Sequence, residues 1–340
     1  MIRKYKYLFF LVPVLFGACQ QDESEFIHSQ VNIKAQIVDQ QTRTAMSTWD
    51  GDNKTYHVLW SEGEQIAVGK TGEFQTFTLT SGAGTQIAQF TGNAPTNVYD
   101  DYCAAVYPVQ NAVAGTDDDY IYVGSVLNAG QTYVAGTFDK NLAPMTAVSN
   151  DGLIYWFYNL YGVIQLPIKG TGTLTKIELT GNNNEKVAGG IRMNYSKTNG
   201  EPVASSVSSD NGCMLTQVAP LQETITLSFG EDGLTLNETT PVQVNVVVLP
   251  GTFTGGFKIS IWDKANDEVY EKETTQSVTV KRSYVKRMEE FDYKTAEPLK
   301  PLSLSVQVDP MDDGGTFGAI PAKDKSGVKI LMTTNSAENK

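Results

Sequence analysis

Apolar residues along this chain return at every second position. Val31, Ile33, Ala35 and Ile37 alternate with Asn32, Lys34 and Gln36, and Phe77 and Leu79 alternate with Thr76, Thr78 and Thr80. Leu174, Ile177 and Leu179 lie among threonines; Ile225, Leu227 and Phe229 alternate with Thr224, Thr226 and Ser228. Val242, Val244, Val246 and Val248 form one such face, and Val247 and Leu249 make its reverse apolar too. Ile259 and Ile261, then Val278 and Val280, continue the habit. Successive side chains of a strand point to opposite faces, so this period predicts strands with one face on a core. Turn chemistry separates them: Asp50-Gly51, Glu62-Gly63, Ser81-Gly82, Asn199-Gly200, Asp232-Gly233 and Gly255-Gly256. Helical periodicity is scarce. Many short strands between Gly-rich turns predict an all-β protein built of sandwiches or barrels.

The organisation follows from where the pattern changes. Residues 111–152 are polar and turn-rich, with Ala114-Gly115-Thr116 and the acids Asp117, Asp118 and Asp119. Residues 153–168 then become strongly apolar and aromatic, through Tyr155, Trp156, Phe157, Tyr158 and Tyr161, and read as a buried strand pair at a junction. This predicts an N-terminal β-sandwich over 28–158 and a C-terminal one over 159–294; 340 residues suit two domains. A tail over 295–340 opens with Pro298 and Pro301. Within it Leu302, Leu304, Val306 and Val308 alternate with polar residues, and beyond Gly314-Gly315 so do Val328, Ile330 and Met332. Disordered tails are poor in such residues. The two runs therefore predict β-strands in search of a sheet.

The N-terminus sets the compartment. Residues 1–6 hold Arg3, Lys4 and Lys6, residues 8–16 are almost wholly apolar, and Gly17 and Ala18 precede Cys19. That is a secretory signal over 1–18, too short to span a bilayer stably. Leu15-Phe16-Gly17-Ala18-Cys19 resembles a bacterial lipobox, which implies lipid on the Cys19 thiol and cleavage before it. Gln20-Gln21-Asp22-Glu23-Ser24-Glu25 follows, within a tether over 19–27; a charged linker of this kind stays extended. Acids directly behind the lipidated cysteine resemble the surface-export signal of Bacteroidetes lipoproteins. The expected location is the outer membrane, facing outward.

Charge removes other classes. The formal net charge is −12, and the leader contains three of the cations, so the mature chain is more acidic still. Nucleic acid and anionic lipid surfaces reward clustered Lys and Arg, which this chain lacks. Besides Cys19 only Cys103 and Cys213 remain; they fall in different expected domains and read as buried thiols rather than a disulfide framework. His28 and His57 are the only histidines, and neither has a neighbourhood that builds a catalytic triad. No Cys-x-x-Cys or His-rich spacing suggests zinc, and no Gly-rich phosphate loop opens a helix. Asp117–119 and the acids over 309–313 offer carboxylates to calcium but lack the EF-hand spacing. The expectation is a protein that is not an enzyme and carries no cofactor or metal. Trp49, Trp156 and Trp262 are the places to look for a glycan platform, the mark of a surface glycan-binding lipoprotein; a structural lipoprotein that never polymerises is a further alternative.

A run of motifs then gives a family resemblance. Leu59-Trp60-Ser61-Glu62-Gly63-Glu64-Gln65-Ile66-Ala67-Val68 resembles the Trp, turn, Gly-acid, Ile-x-Val segment of the fimbrillin-like proteins of Bacteroidetes, with Glu64 where that pattern has Asp. Thr42-Arg43-Thr44 lies upstream, at a place where the family often carries Arg. Cys103-Ala104-Ala105-Val106-Tyr107-Pro108, Asn159-Leu160-Tyr161-Gly162-Val163-Ile164 and Val248-Leu249-Pro250-Gly251-Thr252-Phe253 continue the likeness over most of residues 30–293. The resemblance implies two tandem transthyretin-like β-sandwich domains and export as a lipoprotein. It implies a cut at Arg43 that frees Val31 to Ile37, and polymerisation by strand exchange with other fimbrial subunits. Leu302, Leu304, Val306, Val308, Val328, Ile330 and Met332 are the candidate donor-strand residues. The expected partners are the membrane through the lipid, further subunits, and a receptor on a host or bacterial surface.

Overall fold

The alternating segments named above between residues 31 and 280 form strands in the computed structural model, which describes residues 30–38, 59–95, 102–204 and 213–293. All of them fall within one compact unit, Met1–Ala296. The first ten strands are β1 (Gln30–Ile37), β2 (Gln65–Gly69), β3 (Gln75–Ser81), β4 (Ile87–Asn93), β5 (Cys103–Tyr107), β6 (Val113–Thr116), β7 (Tyr120–Leu127), β8 (Gly130–Thr132), β9 (Met145–Ser149) and β10 (Ile154–Asn159). They are followed by β11 (Gly162–Gly170), β12 (Thr173–Gly181), β13 (Ala188–Ser196), β14 (Leu215–Gln222), β15 (Thr224–Ser228), β16 (Leu234–Thr235) and β17 (Val242–Val248). The last are β18 (Gly251–Phe253), β19 (Phe257–Asp263), β20 (Asn266–Thr274), β21 (Val278–Val280), β22 (Val285–Arg287) and β23 (Phe291–Tyr293). Among the described residues the only helical element is a 3-10 turn at Lys140–Leu142. The protein is all-β.

Seven strands close into a barrel in the order β1-β10-β9-β5-β2-β3-β4. Closure removes the open edges that would otherwise present unpaired backbone groups. Behind it, β17-β11-β22, with β23 also on β11, forms one sheet, and β20-β19-β12-β15-β8 forms another, with β16 on β12. A four-stranded sheet runs β14-β13-β7-β6, and β18 pairs with β21. β11 is apolar on both faces, buried from Gly162 to Ile168, because it is hydrogen-bonded along its length to β17 and covered on both sides.

Two features depart from the sequence reading. The stretch over 111–152, read as polar and turn-rich within the N-terminal domain, holds four strands, β6 to β9. β7 and β8 lie ahead of residue 159, yet β7 pairs with β13 over eight positions and β8 pairs in parallel with β15. Hydrogen bonding thus crosses the expected boundary, and the buried side chains from Ile33 to Tyr293 form one connected cluster. Cys103 and Cys213 are both buried thiols. No helix among the described residues is long and apolar enough to cross a membrane.

Candidate functional site

The most informative element is β1. It lies antiparallel to β4, from Gln30 opposite Asn93 to Gln36 opposite Ile87, and parallel to β10, from Lys34 opposite Ile154 to Ile37 opposite Phe157. Lys34 N–H donates to Leu153 O at 2.8 Å, and Val38 N–H to Phe157 O at 3.0 Å. Ile33, Ala35 and Ile37 point into the core and are buried, while Gln30, Asn32 and Lys34 face water. The alternation of the sequence is therefore the alternation between barrel interior and solvent. β1 is also the strand that closes the barrel: without it, β2-β3-β4 and β5-β9-β10 remain joined through β2 and β5, and β4 and β10 become edges.

An aromatic cluster lies inside. Trp60, fully buried, meets Phe90, Phe157 and Tyr107 edge-to-face, with ring centroids at 5.0, 5.4 and 5.8 Å. Beside it Glu64 is buried although ionisable. Its Oε2 accepts the Ser61 N–H at 3.0 Å, closing the turn before β2, and its Oε1 accepts the Tyr107 hydroxyl at 3.0 Å. Burial pushes the Glu64 carboxyl up; the bonds from Ser61 and Tyr107 and the charge of Lys140 oppose that push without cancelling it. Burial, reinforced by the neighbouring Glu64, raises the Tyr107 phenol far above its ordinary range. The extra methylene that distinguishes Glu64 from the Asp of the motif carries its carboxyl to this partner on β5.

A second feature is a groove of about 330 Å³ on the outer face of β10. β9 and β10 pair only at Tyr158 opposite Thr146 and Asn159 opposite Met145, and separate toward their connecting loop. It is lined by Ile154, Trp156 and Tyr158 of β10, by Val148, Ser149, Asn150 and Asp151, and by the turn Asn199, Gly200 and Glu201. Trp156 is 42 % exposed, whereas its neighbours Tyr155 and Phe157 are wholly buried. Asp151 holds the loop through Oδ1, which accepts from Ser149 Oγ, Leu153 N–H and Ile154 N–H. Burial acts to raise that carboxyl, and these bonds outweigh it and hold it below the usual range. Glu201 accepts the Tyr158 hydroxyl through Oε2 at 3.2 Å. The aromatic run expected to be buried is thus buried on one face only, because β10 is a barrel strand with an outside.

The remaining expectations divide by place. Cys19, Arg43, Leu302, Leu304, Val306, Val308, Val328, Ile330 and Met332 lie outside the described residues, as do His28, His57, Trp49 and the acids over 309–313. Trp262 is half-buried, with the Lys176 ammonium 3.8 Å above its ring, so that face is already covered. At the other acidic run, Asp117 Oδ1 caps the turn by accepting from Asp119 N–H and Tyr120 N–H, and Lys197 donates to the carbonyls of Asp117 and Asp118. Among the described residues no three of His, Cys, Asp and Glu come together as a metal site. The groove beside Trp156 was missed as a unit, because its walls come from β10 and from a turn more than forty residues later.

Comparison with known proteins finds likeness only among solved structures, at low identity. No family model and no curated protein matches the chain. Solved structures do. A candidate cell adhesion protein from Bacteroides ovatus is 12 % identical, over 78 % of this chain and 92 % of that one, with a TM-score of 0.41. Another from Bacteroides uniformis is 13 % identical over 78 % and 93 %, with a TM-score of 0.39. A fimbrial protein from Bacteroides ovatus is 13 % identical over 78 % of this chain and 50 % of that one, with a TM-score of 0.32. Likeness at this level assigns no function.

Proposed function

We propose that this protein is a surface-exposed lipoprotein of the outer membrane that serves as a fimbrial subunit or adhesion protein without catalytic activity, and that it assembles by strand exchange. The observation that carries the reading is the seat of β1. An N-terminal strand closes the barrel between two strands that otherwise form a continuous sheet with β2, β3, β5 and β9. A cut at Arg43 would separate β1 from the rest of the chain. Its departure would leave the inner places of Ile33, Ala35 and Ile37 open, with backbone groups of β4 and β10 unpaired.

A donor strand with the same period refills that seat. Leu302, Leu304, Val306 and Val308 have it, as do Val328, Ile330 and Met332. Each large apolar side chain that becomes buried contributes roughly 1.5–3 kcal/mol, and backbone pairing adds to this. Ordering the incoming segment subtracts roughly 1–2 kcal/mol per residue fixed. Cys19 supplies the anchor before assembly, and several acyl chains hold where one would not.

The test compares two purified precursors, one full-length and one ending at Lys300, each treated with limiting trypsin-like protease. The full-length protein cut at Arg43 is expected to form ladders on a gel that collapse on heating. The shortened protein is expected to form none. Identical behaviour of the two after the same cut would refute strand donation by the tail.

A further inference from the structure

We propose that the groove beside Trp156 is a binding site for neutral glycans. The inference deepens the adhesion reading by naming the class of receptor, and it rests on that reading only for access to glycans outside the cell. Binding by the monomer does not depend on strand exchange.

The argument begins with the platform. Trp156 stands on a strand fixed on one side by β1 and anchored from below by Tyr155 and Phe157, which are fully buried. A flat ring held this way loses little freedom when a ligand lies on it. Its face carries the negative end of the aromatic quadrupole, to which the weakly positive C–H face of a sugar ring is attracted. Scattered exposed apolar side chains are ordinary. This one differs because it forms the wall of a concave groove together with polar groups.

Those polar groups have unused capacity. Asp151 makes its bonds through Oδ1 and Glu201 through Oε2, so Oδ2 and Oε1 remain as acceptors. Asn199 accepts the Glu201 N–H with its Oδ1, which leaves its amide hydrogens to donate. Asn150 adds a second amide, beside Gly200. Hydroxyl groups both donate and accept, and a set of carboxylates and amides facing an aromatic ring satisfies several of them at once. Among the described residues no Lys or Arg lines the groove, while two carboxylates do; Lys34 is paired opposite Ile154 on the neighbouring strand. The local field therefore disfavours sialylated, sulfated or phosphorylated ligands and leaves neutral sugars. At about 330 Å³ the space stands at the small end of ligand sites, which run from about 300 to 1,000 Å³.

Gly200 keeps the opposite wall clear. Its φ is +70°, and a Cβ there would approach Asn150 Oδ1 at 2.9 Å and Val148 Cγ1 at 3.3 Å. The turn can come this close to β9 because that position has no side chain.

The test uses the unlipidated chain over residues 20–340 as an uncut monomer. It is applied to an array carrying neutral mannose-, galactose- and N-acetylglucosamine-terminated oligosaccharides beside sialylated and sulfated counterparts. The strongest neutral oligosaccharide is then titrated calorimetrically into the unsubstituted protein, Trp156→Ala, Trp156→Phe and Glu201→Gln. Neutral glycans are expected to bind, with Trp156→Ala weakening binding by about tenfold or more and Trp156→Phe retaining part of it. The thermal midpoint of Trp156→Ala is expected to match that of the parent, since the ring points outward. No glycan binding, preference for charged glycans, or equal binding by Trp156→Ala would each overturn the proposal. So would self-association lost in Trp156→Ala without any glycan binding, which would make the face of Leu153, Ile154 and Trp156 a protein contact. Ladders without glycan binding would remove this inference alone; glycan binding without ladders would remove strand exchange alone.

Discussion

Tyr107 gives its phenolic hydrogen to Glu64 across 3.0 Å inside the barrel, tying the end of β5 to the turn that begins β2. The bond keeps a carboxyl group in a place nearly closed to water. Burial is the largest influence on that group, and it favours the protonated form.

Replacing Glu64 with Gln therefore separates shape from charge. The amide oxygen can accept the Ser61 N–H while its NH₂ donates to Tyr107, whose hydroxyl then turns to Lys140 O, already 3.2 Å away. In the native protein the folded-state pKa of Glu64 is raised. The folded form then binds the proton more tightly than the unfolded form, so this residue's contribution falls as pH rises through the window above the ordinary Glu range of about 4.3. Urea unfolding of both proteins at several pH values is expected to show Glu64→Gln gaining on the parent across that window. Below it the difference should become flat. A gap independent of pH would contradict the assignment.

Among the described residues Trp60 is the largest fully buried side chain, in edge contact with three rings. Trp60→Ala should destabilise the fold by about 3–5 kcal/mol, from lost transfer energy and the cavity left behind. Trp60→Phe should cost less, because the indole N–H has no acceptor among the described residues. Denaturant midpoints in the order parent, Phe, Ala would bear this out.

Arg282 is buried, and its Nη1 donates to Asn159 O and Ser283 Oγ, both at 3.0 Å. The bond to Asn159 fastens the end of β10 to the segment before β22. Arg282→Met keeps the bulk but leaves the Asn159 carbonyl without this donor, at a cost of about 1–3 kcal/mol. Hydrogen exchange at the amides of β22 is expected to accelerate before that of β3. Uniform acceleration in both would argue against a local tie.

Gly256 turns the chain between β18 and β19 with φ at +78°, and a Cβ there would lie 1.9 Å from Thr274 O. Gly256→Ala is expected to destabilise by more than about 1 kcal/mol, since it combines an unfavourable conformation with a backbone clash. Gly63, also at positive φ but with open space around it, should tolerate the same change better. Thermal melts of the two variants decide the order.

Much of this architecture was legible because period-two alternation is a local signal. The valines over 242–248 and the apolar positions over 31–37 announce strands without knowledge of their partners. Partners are another matter. Nothing local to Tyr120–Leu127 says that it pairs with Ala188–Ser196, and its glycine, serine and two tyrosines read as loop until β13 is beside them. The same limit hid the groove: Trp156 could be named as a place to look for a platform, but only barrel closure gives β10 an outer face and only the fold brings the turn at Asn199–Glu201 beside it. Gly256, by contrast, was legible as a turn because a Gly-Gly pair between two alternating runs has few other uses.

The parallel pairing of β1 with β10 has a consequence for the order in which the chain folds. Lys34 and Ile154 are about 120 residues apart, whereas β2, β3 and β4 meet through short antiparallel connections. Contacts between near neighbours form early, and those that close long loops form late. β1 can pair early with β4, but its other edge stays open until residues 154–157 are in place beside it. The barrel therefore cannot shut before β10 has formed.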